Sequence, residues 1–212
     1  MGYLKRLVLM LLILFFGVGA AMASEEADYT LVLKEGDFEI RTYAPHVLAE
    51  TLVKGGFGNV GNKAFMRLFK YITGNNTSQQ KIAMTSPVTQ SAKDQAAESE
   101  KIAMTSPVTQ HQVKDSWAIS FTMPANASLE TLPIPNDPQV TLRQIPERHL
   151  AVVRYSGLWT EKGYLNNKAK LESWLKQKGY TVIGEPVWAR YDPPFKPWFL
   201  RRNEVLLPIQ LP

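Results

Sequence analysis

Three basic side chains, Lys63, Arg67 and Lys70, stand at i, i+4 and i+7 in a segment where Ala64, Phe65, Leu68, Phe69 and Ile72 recur at three- and four-residue steps. That spacing lays a row of cations beside an apolar stripe on one helix. A solvated outer face accounts for such a row by itself. The chemistry it would otherwise serve is recognition of an anionic, largely apolar ligand, with Lys70 bordering Phe69 near the helix end. A second concentration of aromatics and cations is Tyr191-Asp192-Pro193-Pro194-Phe195-Lys196-Pro197-Trp198-Phe199-Leu200-Arg201-Arg202-Asn203-Glu204-Val205. Its prolines fix φ and withhold N–H donors, so the stretch reads as a stiff, ordered loop. Phe195, Lys196 and Trp198 would border a ligand cleft, or Arg201 or Arg202 would pair with Glu204 or Asp192 as a structural clamp, and the two roles are compatible.

Metal and redox chemistry have little to work with. The chain has no cysteine and only three histidines, His46, His111 and His149, without a paired-histidine helix spacing, so a dedicated protein metal site is not expected. His46, beside the apolar run Val47-Leu48-Ala49, is the best placed of the three to offer a neutral imidazole to haem iron, although a lone histidine is usually a half-exposed polar residue. Met84 sits on an apolar strand face, where a methionine is far more often packing than an iron ligand. No G-x-S-x-G elbow or cysteine nucleophile is present, and the carboxylates are scattered, so no catalytic residue is assigned.

The elements that must position these residues follow from periodicity. Tyr29 to Leu33 and Phe38 to Tyr43 flank Glu35-Gly36-Asp37 as a hairpin, and His46 to Lys54 is a third strand ended by Gly55-Gly56. Asn59 or Asn62 would cap the helix that carries Phe65 and Phe69, and Gly74 would stop it. Lys81 to Gln90 and Trp117 to Met123 read as strands around a polar stretch. The second half repeats the order: strands Gln139 to Arg143 and Leu150 to Tyr155, then a helix from Thr160 to Lys178 stopped by Gly179. Extended segments within Tyr180 to Tyr191 and Asn203 to Ile209 complete it. The expected fold is α+β: two pseudo-repeated ββαββ halves, each an antiparallel sheet with a helix on one face and an apolar cleft between them. A single barrel or a two-layer sandwich would give the same periodicity.

Lys81 to Gln90 recurs unchanged as Lys101 to Gln110. This reads as a local tandem duplication whose second copy lengthens a hairpin or loop, because one repetition makes no solenoid.

Lys5 and Arg6 precede an uncharged run from Leu7 to Ser24 that ends near Ala21-Met22-Ala23, the layout of a signal peptide cleaved after Ala23. The expected product is one domain over 24–212, exported to a periplasm or beyond, with no membrane span left after cleavage. Of 24 basic residues, Lys5 and Arg6 leave with the signal, so 22 face 19 acidic ones, too small an excess to indicate nucleic acid.

The Lys-Ile-Ala-Met-Thr-Ser-Pro-Val strand, the Tyr-Asp-Pro-Pro-x-Lys-Pro loop, the Arg-Arg-Asn-Glu-Val ending and the early Phe38-Glu39-Ile40-Arg41-x-Tyr43 strand together resemble the SOUL haem-binding family, over nearly all of 29–209. The resemblance implies two sheet-and-helix halves similar in plan to bacterial effector-binding domains. It also implies haem or another tetrapyrrole held non-covalently in an apolar cleft beside the first helix. Its pocket would draw on Phe65 and Phe69, with Lys70 and Lys196 near the propionates. It supplies no iron ligand, and His46 is carried only as a candidate. The function expected is reversible binding for buffering, transport or scavenging. The alternatives are a pocket for another amphipathic molecule, or less readily an enzyme acting on porphyrin or a small ester.

Overall fold

The computed structural model describes residues 25–58, 60–79 and 99–211. The expected signal segment, the candidate cap Asn59 and the first repeat copy with Met84 lie outside the described residues. In chain order the elements are β1 (Glu25–Glu26), β2 (Tyr29–Glu35), β3 (Phe38–Tyr43), β4 (His46–Lys54), α1 (Val60–Ile72), β5 (Asn76–Thr77), β6 (Thr105–Ser106), β7 (Val108–Val113) and β8 (Ser116–Thr122). The second half supplies β9 (Ile134–Pro135), β10 (Thr141–Ile145), β11 (Arg148–Tyr155), α2 (Glu161–Lys178), β12 (Thr181–Val182), β13 (Val187–Arg190), a 3-10 turn (Trp198–Leu200) and β14 (Asn203–Gln210).

The helix ends lie where local chemistry puts them. Thr160 takes an extended conformation and its side chain accepts a hydrogen bond from the Gly163 N–H, satisfying one of the unpaired donors that open α2. Gly179 closes α2 in the left-handed region at φ 77°, where a Cβ would be strained.

One antiparallel sheet runs β10-β4-β8-β7-β13-β14-β11-β3-β2, with β12 added on β14. The order is palindromic about the β7–β13 pair. β8 mirrors β14, β4 mirrors β11, and β10 mirrors β3. The two ββαββ units are therefore both present. Each lends its first strand to the other: β3 pairs with β11 of the second unit, and β10 pairs with β4 of the first. The α+β class with a helix on each half holds, and the two half-sheets fuse along β7 and β13 into a single curled layer.

Both helices cover the same face of this layer. α1 packs Val60, Ala64, Leu68, Tyr71 and Ile72 onto Val47, Ala49, Ile119 and Phe121, and α2 packs Tyr164, Leu171, Trp174 and Leu175 onto Ala151, Val153, Val205 and Leu207. Phe57, in the loop before α1, stacks on Trp188 at 4.8 Å and Tyr164 at 5.4 Å between ring centroids, which fastens that loop to the α2 core. Burying such a ring contributes about 1.5–3 kcal/mol.

The second repeat copy supplies part of a hairpin, as the sequence reading held, but that hairpin lies inside the sheet rather than at its margin. Its Val108 to Gln110 open β7, an interior strand between β8 and β13, with Gln110 fully buried. The cause is the turn that follows. Val113 pairs with Ser116 across Lys114-Asp115, and Lys114 adopts a positive φ of 52°, as a two-residue hairpin requires. This turn brings the second copy into register with β8.

Candidate functional site

Helical spacing divides the two flanks of α1 by chemistry. At 100° per residue, Gly61, Phe65 and Phe69 fall along one line, and Lys63, Arg67 and Lys70 along another on the far side of the buried stripe. The phenylalanine line faces the middle of the sheet. Phe65 and Phe69 are half-buried, their rings lie nearly parallel at 12° with centroids 5.9 Å apart, and Phe65 meets Phe121 edge-on at 5.3 Å. Together they make a stacked, half-buried apolar pair on one flank of α1.

Beside the phenylalanine line the sheet carries a row of cross-strand neighbours, Phe121, Val108, Arg190, Asn203 and Tyr155, on β8, β7, β13, β14 and β11, of which Phe121 and Asn203 are buried. Arg190 lies 4.8 Å from the Trp188 ring centroid and 5.6 Å from that of Trp159, which donates its indole N–H to Asn203 at 2.9 Å. Burial draws the Arg190 guanidinium down to about 10, because no carboxylate offsets its lost hydration. Its Nε and Gln110 Oε1 are buried without a hydrogen-bond partner among the described residues, while the Trp188 indole N–H and the Tyr155 hydroxyl lie close enough to pair with each other. Unsatisfied polar atoms of this kind are uncommon in a packed interior.

The expected site residues part company here. Phe65 and Phe69 come together as expected. Lys70 is exposed in the last turn of α1, beyond Phe69 on the solvent side. Lys196 is held by Asp192 at 2.6 Å within the proline loop. That loop reaches the sheet row through Arg201, whose guanidinium lies 4.6 Å from the Trp159 ring centroid while its Nε donates to the Lys196 carbonyl at 2.8 Å. His46 is on the other side of the sheet from the phenylalanines, because it alternates with Val47, which packs under α1. It lines a cleft on the helix-free face with Tyr43, Arg148, Leu150 and Leu206. Burial lowers its pKa, against the pull of an Nδ1 contact of 2.7 Å with the Ala44 carbonyl. That cleft encloses about 30 Å³, room for about one water molecule, and it cannot share a flat ligand with Phe65 and Phe69.

The opposite flank of α1 borders an open depression of about 470 Å³ lined by Leu52, Val53, Lys54, Lys63 and Arg67. Arg67 is committed there to Thr51 at 2.7 Å and Asp137 at 3.3 Å. Among the described residues no group of three or more His, Asp or Glu is placed to hold a metal ion.

The Arg-Arg-Asn-Glu-Val ending is the clamp reading realised, although its partners lie far off in sequence. Fully buried Glu204 accepts from both Nη atoms of Arg41 at 2.9 and 3.0 Å, from Tyr191 at 2.7 Å and from Arg202 at 2.9 Å. Burial pushes the Glu204 carboxyl upward, but these hydrogen bonds and the charges of Arg41 and Arg202 outweigh it and hold the pKa below the usual range.

Sequence reasoning passed over Arg190 and Trp159. The available signal was an arginine closing the short strand Val187-Trp188-Ala189-Arg190, in step with Trp188 on the helix-covered face. A charge in step with a buried tryptophan is a site signal only once the strand's pairing is known.

A duplicated ββαββ unit with both helices on one face of a single sheet defines the α+β architecture of this chain. Solved structures with this plan include the EcmrR C-terminal domain (TM-score 0.54, 11% identity, covering 86% of this chain and 98% of that one) and a hydrolase from Listeria innocua (TM-score 0.54, 13% identity, 84% and 94%). Those likenesses establish the fold alone. The model of the family described as SOUL heme-binding protein matches residues 24–208, and the chain belongs to that family. Heme-binding protein 1 of Xenopus tropicalis is 29% identical over 169 residues, 79% of this chain and 81% of that protein. Its Xenopus laevis counterpart is 27% identical over the same shares.

Proposed function

We propose that the chain binds haem or a related tetrapyrrole reversibly, against the stacked Phe65–Phe69 pair of α1, and does so outside the cytoplasm as a buffer, carrier or scavenger. Family membership and the likeness to two proteins named for heme binding support a tetrapyrrole ligand. The single observation that supports the site is the pair of half-buried, stacked rings of Phe65 and Phe69, an apolar surface that can pack against a ligand's ring system. With no cysteine in the chain, thioether attachment is excluded, and affinity rests on packing and on contacts to the ligand's carboxylates. In this reading Lys70 reaches the outer edge of the ring across the solvent side of α1, and Lys196 acts through the loop that it and Asp192 hold in shape. The location rests on the signal-like layout of Lys5, Arg6 and the apolar run to Ser24. The role is binding rather than turnover, so haemin extracted from the complex is recovered chemically unchanged.

Titration of purified protein with haemin, followed at the Soret band, tests this. Phe65→Ala and Phe69→Ala are each expected to weaken binding about ten-fold, the loss of roughly 1.4 kcal/mol of aromatic contact. Unchanged affinity in both variants, with an unaltered circular dichroism spectrum, would remove this pair as the site. A second reading rests on the open depression across α1, whose size suits a small ligand and whose rim carries Lys54 and Lys63. Weakening by Lys63→Glu alone would select it.

A further inference from the structure

We propose that the proline loop between β13 and β14 is a membrane-contact site, which seats an aromatic tip in the headgroup region of an anionic lipid bilayer. Its apolar side chains are held out into solvent. Phe195 is 86% exposed, and Trp198, Phe199 and Leu200 are each more than half exposed, with the Trp198 and Phe199 rings edge-on at 5.5 Å between centroids. Leu158, also more than half exposed, stands beside them, because the Gly157 N–H donates to the Trp198 carbonyl at 3.1 Å. Single exposed apolar residues are ordinary on a protein surface, whereas five large ones gathered in one place form a patch of the kind that is covered in use.

The charge and the backbone of the loop favour lipid as the cover. From Pro193 to Arg202 the chain has three cations, Lys196, Arg201 and Arg202, and no carboxylate. Arg202 is spent on Glu26 and Glu204, and Asp192 holds Lys196. Arg201 has no acid partner among the described residues, and directly after Leu200 it donates to the carbonyls of Lys196 and Pro194 at 2.8 and 2.5 Å. Aromatic rings at headgroup level with basic side chains behind them are the arrangement that holds a protein to an anionic bilayer surface. A segment entering that region must also satisfy its own N–H groups, because acyl chains offer no acceptor. Pro193, Pro194 and Pro197 have no N–H. Those of Lys196, Leu200 and Arg201 donate to the carbonyls of Pro193, Pro197 and Trp198 at 3.1, 3.0 and 3.3 Å, and that of Arg202 donates to the Asp192 carboxylate at 2.5 Å. A protein partner would make no such demand, since it can supply hydrogen bonds of its own. The same bonds hold the tip in one shape, so little freedom is lost on docking.

The test titrates the protein with vesicles of phosphatidylcholine and phosphatidylglycerol whose acyl chains carry bromine, which quenches a tryptophan on contact. Trp198 is the one exposed tryptophan, and the stretch before Ser24 contains none, so quenching reports this loop. Wild type is expected to lose fluorescence saturably, at lower lipid concentration with phosphatidylglycerol present than without it, and less readily as salt is raised. Trp198→Phe keeps an apolar ring and is expected to lose most of the quenching while still floating with the vesicles. Phe195→Ser combined with Phe199→Ser keeps every tryptophan and is expected to need about ten-fold more lipid for the same quenching. Both variants alter exposed side chains and should melt with wild type. Absence of quenching in wild type, or quenching unchanged in Trp198→Phe, overturns the site. A concentration-dependent dimer that the serine variant fails to form, with no quenching by lipid, also overturns it and gives the patch to a second copy of the chain. No haemin is present in these measurements, so the membrane site and the tetrapyrrole reading fail separately.

Discussion

At the scale of single residues, the pivotal contact is between Arg41 and Glu204, which are 163 positions apart in sequence and both buried. Removing one member of such a pair strands the other without hydration, at a cost of about 3–5 kcal/mol. Glu204→Gln is therefore expected to lower the denaturation midpoint sharply at neutral pH, while a paired Arg41→Met and Glu204→Leu replacement is expected to recover much of the loss. The same pair sets an acid dependence. The Glu204 pKa is depressed in the fold, so its contribution is full above the unfolded value near 4.5 and is lost as pH falls through the folded value. Denaturant unfolding of wild type between pH 6 and pH 3 should show stability falling with acid, with a shallower fall in Glu204→Gln; parallel curves would refute the assignment. The sequence allowed a clamp around Arg202, Glu204 and Asp192 to be foreseen, because those residues are neighbours. Arg41 as the chief partner was not legible, since nothing local tells a buried arginine of one strand which distant carboxylate it will face.

At the scale of elements, most of the reading came from periodicity and punctuation. The bounds of β3, β4, α1, β8 and α2 fall within a few residues of where alternation, three- and four-residue steps and the stopping glycines put them. α2 shows how little of a helix's strength is local, since its surface is mostly polar and only Tyr164, Leu171, Trp174 and Leu175 are buried. Its N-terminal cap is correspondingly valuable. Thr160→Ala is expected to cost about 1 kcal/mol, a fall of roughly 2–4 °C in melting temperature, with Thr160→Ser near wild type. A variant at or above the wild-type melting temperature would show that the Gly163 N–H finds another acceptor. The two flanks of α1 were half legible. Spacing separates the phenylalanine line from the lysine line, but which one turns inward depends on β7 and β13 lying on the phenylalanine side. For the same reason, His46 could be placed on a strand from sequence but not on the face away from α1.

At the scale of the whole molecule, the fold depends on two exchanges that no local pattern announces: each unit gives its first strand to the other, and the two are fused along β7 and β13. The fusion along β7 and β13 involves the duplicated segment, because Val108 to Gln110 of its second copy open β7. The two copies are identical from Lys81 to Gln90 and Lys101 to Gln110, so composition and propensity cannot choose between them. The Lys114-Asp115 turn brings the adjoining second copy back against β8. Deleting residues 81–100 leaves one copy joined to His111 and the turn intact. The shortened protein is expected to keep the same sheet, to lose the Asn76 contacts at 2.8 Å to the Glu100 backbone, and to melt within a few degrees of the parent. Haemin titration of this variant should then match the full chain, since Phe65 and Phe69 are untouched. Failure to fold with one copy would mean that the first copy is a structural element in its own right, and that a sheet of this order cannot close without it.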